Sequence, residues 1–594
     1  MRRFLALTFA VFVSAPLMLA QTGAGSPGVS PAPQEPGEPL RVSLLPGDPQ
    51  SVAAVAAVKE LMSDPAMSGI RFQVYPDLDL ARADRRFLAE SDLIVITPMN
   101  ARAIAPLIDE DVREALATGG RAFAIGTGLQ PLEELGASSE ASLMPYVNAG
   151  GRANLVQLLR AALARSFRPG LTFAPPVAVP TKGFYDPVNE RVFDTFDAFS
   201  AAYFERDPTA RDRPWVGVVF SRTSITGSDV GLVRAVAAAL EEKGLNALPV
   251  YSYPADSNID DLLVDAVGAS RVDAVVALSM KLGNTPEKGV PQMRRINAPI
   301  INAISLYSQS RANWEASKGG LDISERTWQL GGPELIGAVA PTVVASKEHV
   351  IDSTTGMSYV STTPIPERIE LLTARVQKWV HLRVTPAAEK RVALVYYNYL
   401  PPGPSGVGAY YLNVLPKSLW QVAQRLAKDG YTMPGAPQSE DELFAGVRAY
   451  GLNPLPDEDR AAYLDSIVSA GKAQLVAVSE YRTWFDGLPN KVRTEMVAQW
   501  GEPEDSTIMT WRDPQGKPYF VIPGQRWGNV YVGPQPTRGW EQLITAVLHS
   551  VSLPPHHQYL AYYLWLQRSF KPDAMIHLGT HATHEWRSTD AVGS

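Results

Sequence analysis

The stretches WVGVVF at 215–220, VGLVRAVAAALEEK at 230–243 and ALPVYSY at 247–253 read as strand, helix, strand. The two outer runs are apolar with little alternation, as expected of strands buried on both faces. The middle run is an amphipathic helix. A strand and helix followed by a second strand after a short joint predicts a parallel pair, and hence an α/β fold. The pattern continues with a helix over Ile259 to Val267 and a strand over Val272 to Leu278.

The same alternation extends outward in both directions. Upstream, Arg41 to Leu45, Ile70 to Tyr75, Leu93 to Thr97 and Arg121 to Gly126 read as strands, and Val52 to Met62, Ala81 to Ala89, Asp109 to Ala117 and Asn154 to Ala164 as helices. Downstream, a third unit opens with a β-run over Arg391 to Tyr397, a Gly/Pro loop through Gly403, Gly406 and Gly408, and a helical pattern over Leu415 to Leu426. The expectation is a multi-domain α/β protein of several doubly wound parallel-sheet units, with an incomplete final domain. Boundaries are expected at 41–180, 181–385 and 386–594. The 594 residues allow three or four such domains at about 150 residues each.

Composition removes several function classes. The 61 acidic against 54 basic side chains give a net charge of −7, and no long Lys/Arg run is present, which argues against a nucleic-acid surface. Zero cysteines exclude disulfides, thiolate metal sites and a cysteine nucleophile. Arg2 and Arg3 before the apolar run Phe4 to Val13, then Ser14, Ala15, Pro16 and Ala20, have the order of a secretory signal peptide over 1–20. Residues 21–40, rich in Gly, Pro, Ser and Ala, read as a flexible linker. This predicts a periplasmic protein, with a cytoplasmic chain or an uncleaved membrane anchor as alternatives.

Two nucleotide motifs are weighed and set aside. Gly126-Thr-Gly128 follows a strand, but Pro131 stands where a dinucleotide fingerprint needs its third glycine, and no Gly-x-x-x-x-Gly-Lys-Ser/Thr loop occurs. Any ATP cost must therefore fall on a partner. Gly403-Pro-Ser405-Gly406 has its second glycine one place too early for a nucleophile elbow and reads as a turn.

Histidine carries the functional signal. Of eight, His549, His556, His557, His577, His581 and His584 lie near the carboxyl end. Asp573 to Leu578 reads as a strand and Gly579-Thr580 as a turn, so His577 and His581 flank the carboxyl end of a strand, where open α/β sheets present ligand groups. Glu585 shares a face with His581 if that segment is helical. Two imidazoles and a carboxylate can ligate a divalent metal or accept protons near neutral pH.

Three consecutive stretches make the chain recognisable: Gly528-Asn529-Val-Tyr-Val-Gly533-Pro-Gln535-Pro536-Thr-Arg538-Gly539, Leu553-Pro-Pro-His556-His557-Gln558-Tyr559, and His577-Leu-Gly579-Thr580-His581-Ala-Thr583-His584-Glu585-Trp586. They closely resemble the cobaltochelatase large subunit CobN, a pattern shared with the magnesium chelatase H subunit. The resemblance covers roughly 185–586, and 40–175 matches less closely. Two differences stand out: Ala582 and His584 occupy positions where the family usually has Gly and Leu.

The resemblance implies a tetrapyrrole- and metal-binding large subunit of an ATP-dependent chelatase. Cobalt insertion into a corrin precursor in cobalamin biosynthesis is the preferred reading and magnesium the other. AAA+ and integrin-like partners would hydrolyse the ATP, and a carboxyl-half chain would complete the cleft. It places His577, His581 and Glu585 as catalytic groups and metal ligands. Asn529, Gln535, Arg538, His556, His557, Tyr559, Gly579, Thr580 and Trp586 are then the tetrapyrrole contacts. Tyr559, Trp586 and Trp527 can stack on or edge an apolar ring, and Arg538 can pair with a peripheral carboxylate. Of the adjacent His556 and His557, at most one is expected to reach the cleft. The alternative from another class is an exported, non-catalytic or ATP-independent protein handling haem, cobalamin precursors or metal in the periplasm.

Overall fold

The computed structural model describes residues 38–81, 84–253, 258–279, 285–307, 309–317, 319–397, 415–453, 460–537 and 553–579. The first unit is a five-stranded parallel sheet of β1 (Leu40–Pro46), β2 (Ile70–Val74), β3 (Leu93–Thr97), β4 (Arg121–Ala124) and the two-residue β5 (Ser138–Ser139), in the order β2-β1-β3-β4-β5. Successive side chains of β3 enter opposite cores. Leu93 and Val95 pack with helices Ser51–Met62 and Gly151–Ser166, and Ile94 and Ile96 pack with helix Ala101–Ala117. Full burial on both faces explains why the strand shows no polar alternation.

The second unit contains β6 (Lys182–Asp186), β7 (Arg191–Phe193), β8 (Trp215–Ser221), β9 (Asn246–Ser252), β10 (Ala274–Ala277), β11 (Ile300–Leu306), β12 (Ala338–Ile351) and β13 (Ser358–Pro364). The sheet order is β13-β12-β11-β10-β8-β9-β6-β7, with a parallel centre from β12 to β9 and antiparallel strands at both margins. Helices Gly231–Glu242 and Pro366–Val384 share the core on one face. The helix expected over Ile259 to Val267 is cut to Asp260–Leu263. The Asp265 carboxylate accepts from the Val267 and Ala269 amides and closes a turn through Gly268 at φ +88°. Among the described residues, the helix expected over Ala81 to Ala89 is present at Arg86–Ala89, and residues 82 and 83 lie outside them.

The first two units meet through their strand carboxyl ends. The Ala53 amide, just beyond β1, donates to the Gly227 carbonyl, just beyond β8, at 3.1 Å. A Cβ on Gly227 would lie 2.0 Å from the Pro49 carbonyl oxygen, so only glycine admits this approach. The β12–β13 hairpin extends across the same junction. Ser51 Oγ donates to the Val360 carbonyl at 3.2 Å and accepts from its amide at 3.0 Å, and Lys59 Nζ pairs with Asp352 at 2.9 Å.

The third unit is built on β14 (Val392–Tyr396). The remaining strands are β15 (Ala473–Ala477), β16 (Thr510–Arg512), β17 (Pro518–Pro523), β18 (Gln525–Trp527), β19 (Val530–Pro534) and β20 (Ala574–Leu578). Its main sheet has the order β18-β19-β14-β20, with β19 and β20 parallel to β14. Strands β15, β17 and β16 form a separate antiparallel sheet that the sequence pattern did not announce. Val392, Leu394 and Tyr396 face helices Leu415–Lys428 and Glu440–Tyr450, while Ala393 and Val395 face helices Val478–Asp486 and His557–Trp565. Among the described residues no helix is long and apolar enough to cross a membrane.

Candidate functional site

In the third unit the chain leaves β14 for β19 on one side and later returns to β20 on the other. The strand order therefore reverses at β14, and the carboxyl ends of β14 and β20 flank a topological switch point, the place where doubly wound sheets hold ligands. The comparable ends in the first two units, β1 and β8, are closed against each other as described above. Among the described residues, the crevice at β14 and β20 is the one not consumed by such a junction.

Backbone hydrogen bonds bring three loop starts together there. The Tyr397 amide donates to the Leu578 carbonyl and the Gln535 amide to the Tyr396 carbonyl, each at 2.8 Å. Gly579 sits at φ +150°, and a Cβ on it would lie 2.5 Å from Tyr397 Cβ. A side chain at 579 would push the β20 loop off the β14 loop. Gln535 is 3% exposed. Its Nε2 donates to Tyr563 Oη at 2.9 Å and its carbonyl accepts from Asn453 Nδ2 at 2.7 Å. The Gln535 Oε1 atom is buried and has no partner among the described residues.

His577 pairs in register with Val395, so it projects from the same face of β20 as Met575, and its ring is exposed at the sheet's margin. Desolvation by the surrounding protein lowers its pKa from the usual 6.5, which favours the neutral imidazole that metal ligation or proton acceptance requires. Thr580, His581, Glu585, Trp586 and Arg538 lie outside the described residues, as do the loop at Gly403 and His549 and His584. Among the described residues no three His, Asp or Glu side chains converge on a metal-sized site.

Several expected contacts have other roles. His556 is fully buried at the start of helix His557–Trp565, where Nδ1 accepts from the Tyr559 amide at 3.2 Å and Nε2 donates to the Thr537 carbonyl at 2.7 Å. Burial lowers its pKa to about 4. His557, also fully buried, donates from Nε2 to the Gly501 carbonyl and accepts at Nδ1 from Tyr481 Oη, both at 2.9 Å. At most one of the pair is expected to reach a cleft, and the structure places neither there, so their assignment as tetrapyrrole contacts is corrected. Each imidazole satisfies buried backbone or side-chain groups, and neither ring reaches the surface.

Tyr559 is likewise core, its ring 5.1 Å from that of Tyr563, and Trp527 is 2% exposed beneath helix Leu415–Lys428. Asn529 stands at the opposite, amino end of β19, a strand's length or about 15–20 Å from Gln535, with Nδ2 donating to the Ala388 carbonyl. It is a joint residue there and not a crevice contact. The motif glycines have backbone reasons of their own. Gly528 has φ +56° with Pro434 where its Cβ would stand, and a Cβ on Gly533 would lie 2.0 Å from Tyr531 Oη.

Sequence reasoning missed Tyr563 and Asn453. Tyr563 was findable, since it lies four residues after Tyr559 on the same helix face. Asn453 reaches the crevice only through tertiary packing, and no local pattern marks it.

Comparison with known proteins adds a family to this geometry. A family model described as CobN/Magnesium Chelatase matches residues 144–594. The aerobic cobaltochelatase subunit CobN of Pseudomonas aeruginosa is 27% identical over 469 residues, covering 78% of this chain and 35% of that protein. The chloroplastic magnesium-chelatase subunit ChlH of Oryza sativa is 29% identical over 467 residues, covering 75% of this chain and 31% of that protein. The catalytic subunit of cobaltochelatase from Mycobacterium tuberculosis shares the fold, with a TM-score of 0.66, 24% identity, and coverage of 93% of this chain and 44% of that one. The chain thus spans about a third of the length of the curated relatives it matches.

Proposed function

The chain belongs to the CobN/magnesium chelatase family, and on that premise we propose that it is the tetrapyrrole- and metal-binding part of a metal chelatase, acting at the β14/β20 crevice. The observation that carries this reading is convergence: the family motif that passes through Gln535 and the one that begins at His577 flank the carboxyl end of β14 from its two sides, next to the start of the loop after Tyr397.

Metal insertion must remove two pyrrolic protons, strip water from the ion and hold the ring nitrogens toward it. A neutral imidazole at His577 suits the first two tasks, and His581 with Glu585 supplies the second imidazole and the carboxylate. Gln535 Oε1, buried and without a partner among the described residues, lies just behind the same strand ends and is a further polar group that the site could draw on. Cobalt is the preferred metal, because the motifs resemble CobN more closely, and magnesium is the other. ATP is hydrolysed by AAA+ and integrin-like partners, in keeping with the lack of a Walker loop in this sequence.

Titration of the purified chain with a porphyrin and with Co²⁺, for wild type, His577→Ala and His577→Ala/His581→Ala, tests the site. The expected result is a loss of at least about tenfold in cobalt affinity with the ring already bound. Unchanged affinity for both ligands in the double variant removes these residues from the site.

The leader-like segment at Arg2 to Ala20 favours a second reading, an exported tetrapyrrole or metal carrier that needs no ATP. Cell fractionation with amino-terminal sequencing separates the two. A mature periplasmic chain starting near Gln21 supports the carrier, and an intact leader on a cytoplasmic protein supports the chelatase.

A further inference from the structure

Two adjoining hollows, of about 480 and 600 Å³, lie between helix Pro366–Val384 of the second unit and the start of β20 in the third. They share Lys378, Asp573, Ala574 and Met575 and so form one groove. Its apolar floor includes Trp379, Leu382 and Met575, and Met575 is 43% exposed, unusual for a methionine in a strand. Its rim is cationic, with Lys378 and Lys571 facing the same space and Arg375 at one end.

The one acid in the lining does not neutralise that rim. Asp573 Oδ1 pairs with His381 Nε2 at 3.0 Å, and Oδ2 accepts from the Arg391 amide at 2.7 Å. Neither Lys378 nor Lys571 has an ion-pair or hydrogen-bond partner for its ammonium among the described residues. The groove therefore combines an apolar surface of ligand-site size with two positive charges that no described residue pairs.

The groove and the crevice are linked through β20 and Tyr563. Met575 and His577 lie on one face of β20, two residues or roughly 6–7 Å apart along the strand. Tyr563, which lines the groove, accepts the hydrogen bond from Gln535 at the strand edge.

We propose that this groove docks the carboxylate-bearing rim of a tetrapyrrole, with Lys378 and Lys571 holding peripheral carboxylates and Met575 and Trp379 carrying the apolar edge, so that the ring extends toward His577. The assignment rests on the tetrapyrrole reading above and adds to it the place where peripheral carboxylates are held, so that a free acid is discriminated from its ester. Charge complementarity selects this occupant over an apolar helix or strand, which would leave both ammonium groups unpaired.

The test is fluorescence titration of the full chain with uroporphyrin and with its methyl ester, for wild type, Lys378→Glu/Lys571→Glu, Lys378→Gln/Lys571→Gln and the remote control Lys491→Glu. Circular dichroism and size exclusion accompany each variant. Wild type and the control are expected to bind the free acid at least about tenfold more tightly than the ester, with both double variants losing the preference. The Gln pair keeps the side-chain length and adds no negative charge, so it reads the contact even if charge reversal disturbs folding. An intact preference in both double variants, with His577→Ala still weakening binding, overturns the groove and leaves the crevice standing. Binding of neither porphyrin by wild type overturns the tetrapyrrole reading and the groove with it. A change in oligomeric state of the double variants without porphyrin assigns the groove to a second copy, and also overturns the proposal.

Discussion

His556 holds one polar atom at each end of a buried bridge, accepting from the Tyr559 amide and donating to the Thr537 carbonyl. Only the neutral ring with its proton on Nε2 can do both, and complete burial penalises the charged form. A pKa depressed from 6.5 to about 4 means that this contribution to stability is fully present above pH 6.5 and is lost as pH falls toward 4. His556→Ala removes the helix cap, leaves the Thr537 carbonyl short of a donor and opens a cavity, an expected cost of about 2–4 kcal/mol. Denaturant unfolding across pH checks both points. The variant is expected to be less stable at pH 7.5 and to close much of the gap to wild type by pH 4. A constant gap at all pH values would mean that His556 contributes packing alone.

At the scale of elements, β20 is the one whose placement matters most, because it carries His577 and Met575 and turns at Gly579. The strand is buried on one side by Ile576 and Leu578 and open on the other. Its carboxyl end is fixed by the Tyr397 amide and by the contact that only glycine permits at position 579. Gly579→Ala meets both an unfavourable φ and a Cβ clash, for an expected loss of about 2 kcal/mol or more. Thermal unfolding measures that loss, and porphyrin titration is expected to weaken alongside it. Ala at 579 with wild-type melting and binding would show that the β14 and β20 loops move apart freely.

At the scale of the molecule, the first two units are joined where each would otherwise hold a ligand, and the junction is rich in acids. Asp77, just past β2, is pushed up to about 6, first by desolvation and then by the nearby Asp48, while Asp79 across the same turn pairs with His349 of the β12–β13 hairpin at 2.9 Å. The sign follows from the raised value. Asp77 contributes its stability below its ordinary 3.8, where it is protonated in both states, and that contribution is lost as pH rises through about 6. Asp77→Asn keeps an acceptor for the Met99 amide without the charge. With solvent screening of the part-exposed carboxylate, it is expected to stabilise the chain by on the order of 1–2 kcal/mol at pH 7.5 and by little at pH 4. Calorimetry at the two pH values reads this directly. Equal melting temperatures for variant and wild type at pH 7.5 would show that solvent already screens the carboxylate.

What the sequence determined by itself was the local order and the family. Strands such as Leu93–Thr97 and Trp215–Ser221 are legible because burial on both faces demands unbroken apolar runs, and helix Ser51–Met62 because its apolar face repeats with the helical period. The motifs around Gln535 and His577 are legible in part because the backbone at Gly533 and Gly579 admits no larger residue. Only the tertiary structure decided which of these residues share a site. It sent His556, His557, Tyr559 and Asn529 into the core and the far end of the sheet, closed two of the three strand-end crevices on each other, and set Lys378 beside Lys571, 193 positions along the chain. Burial, crevice closure and the meeting of distant charges depend on how whole elements pack, and a sequence read locally holds no distance between residues that far apart.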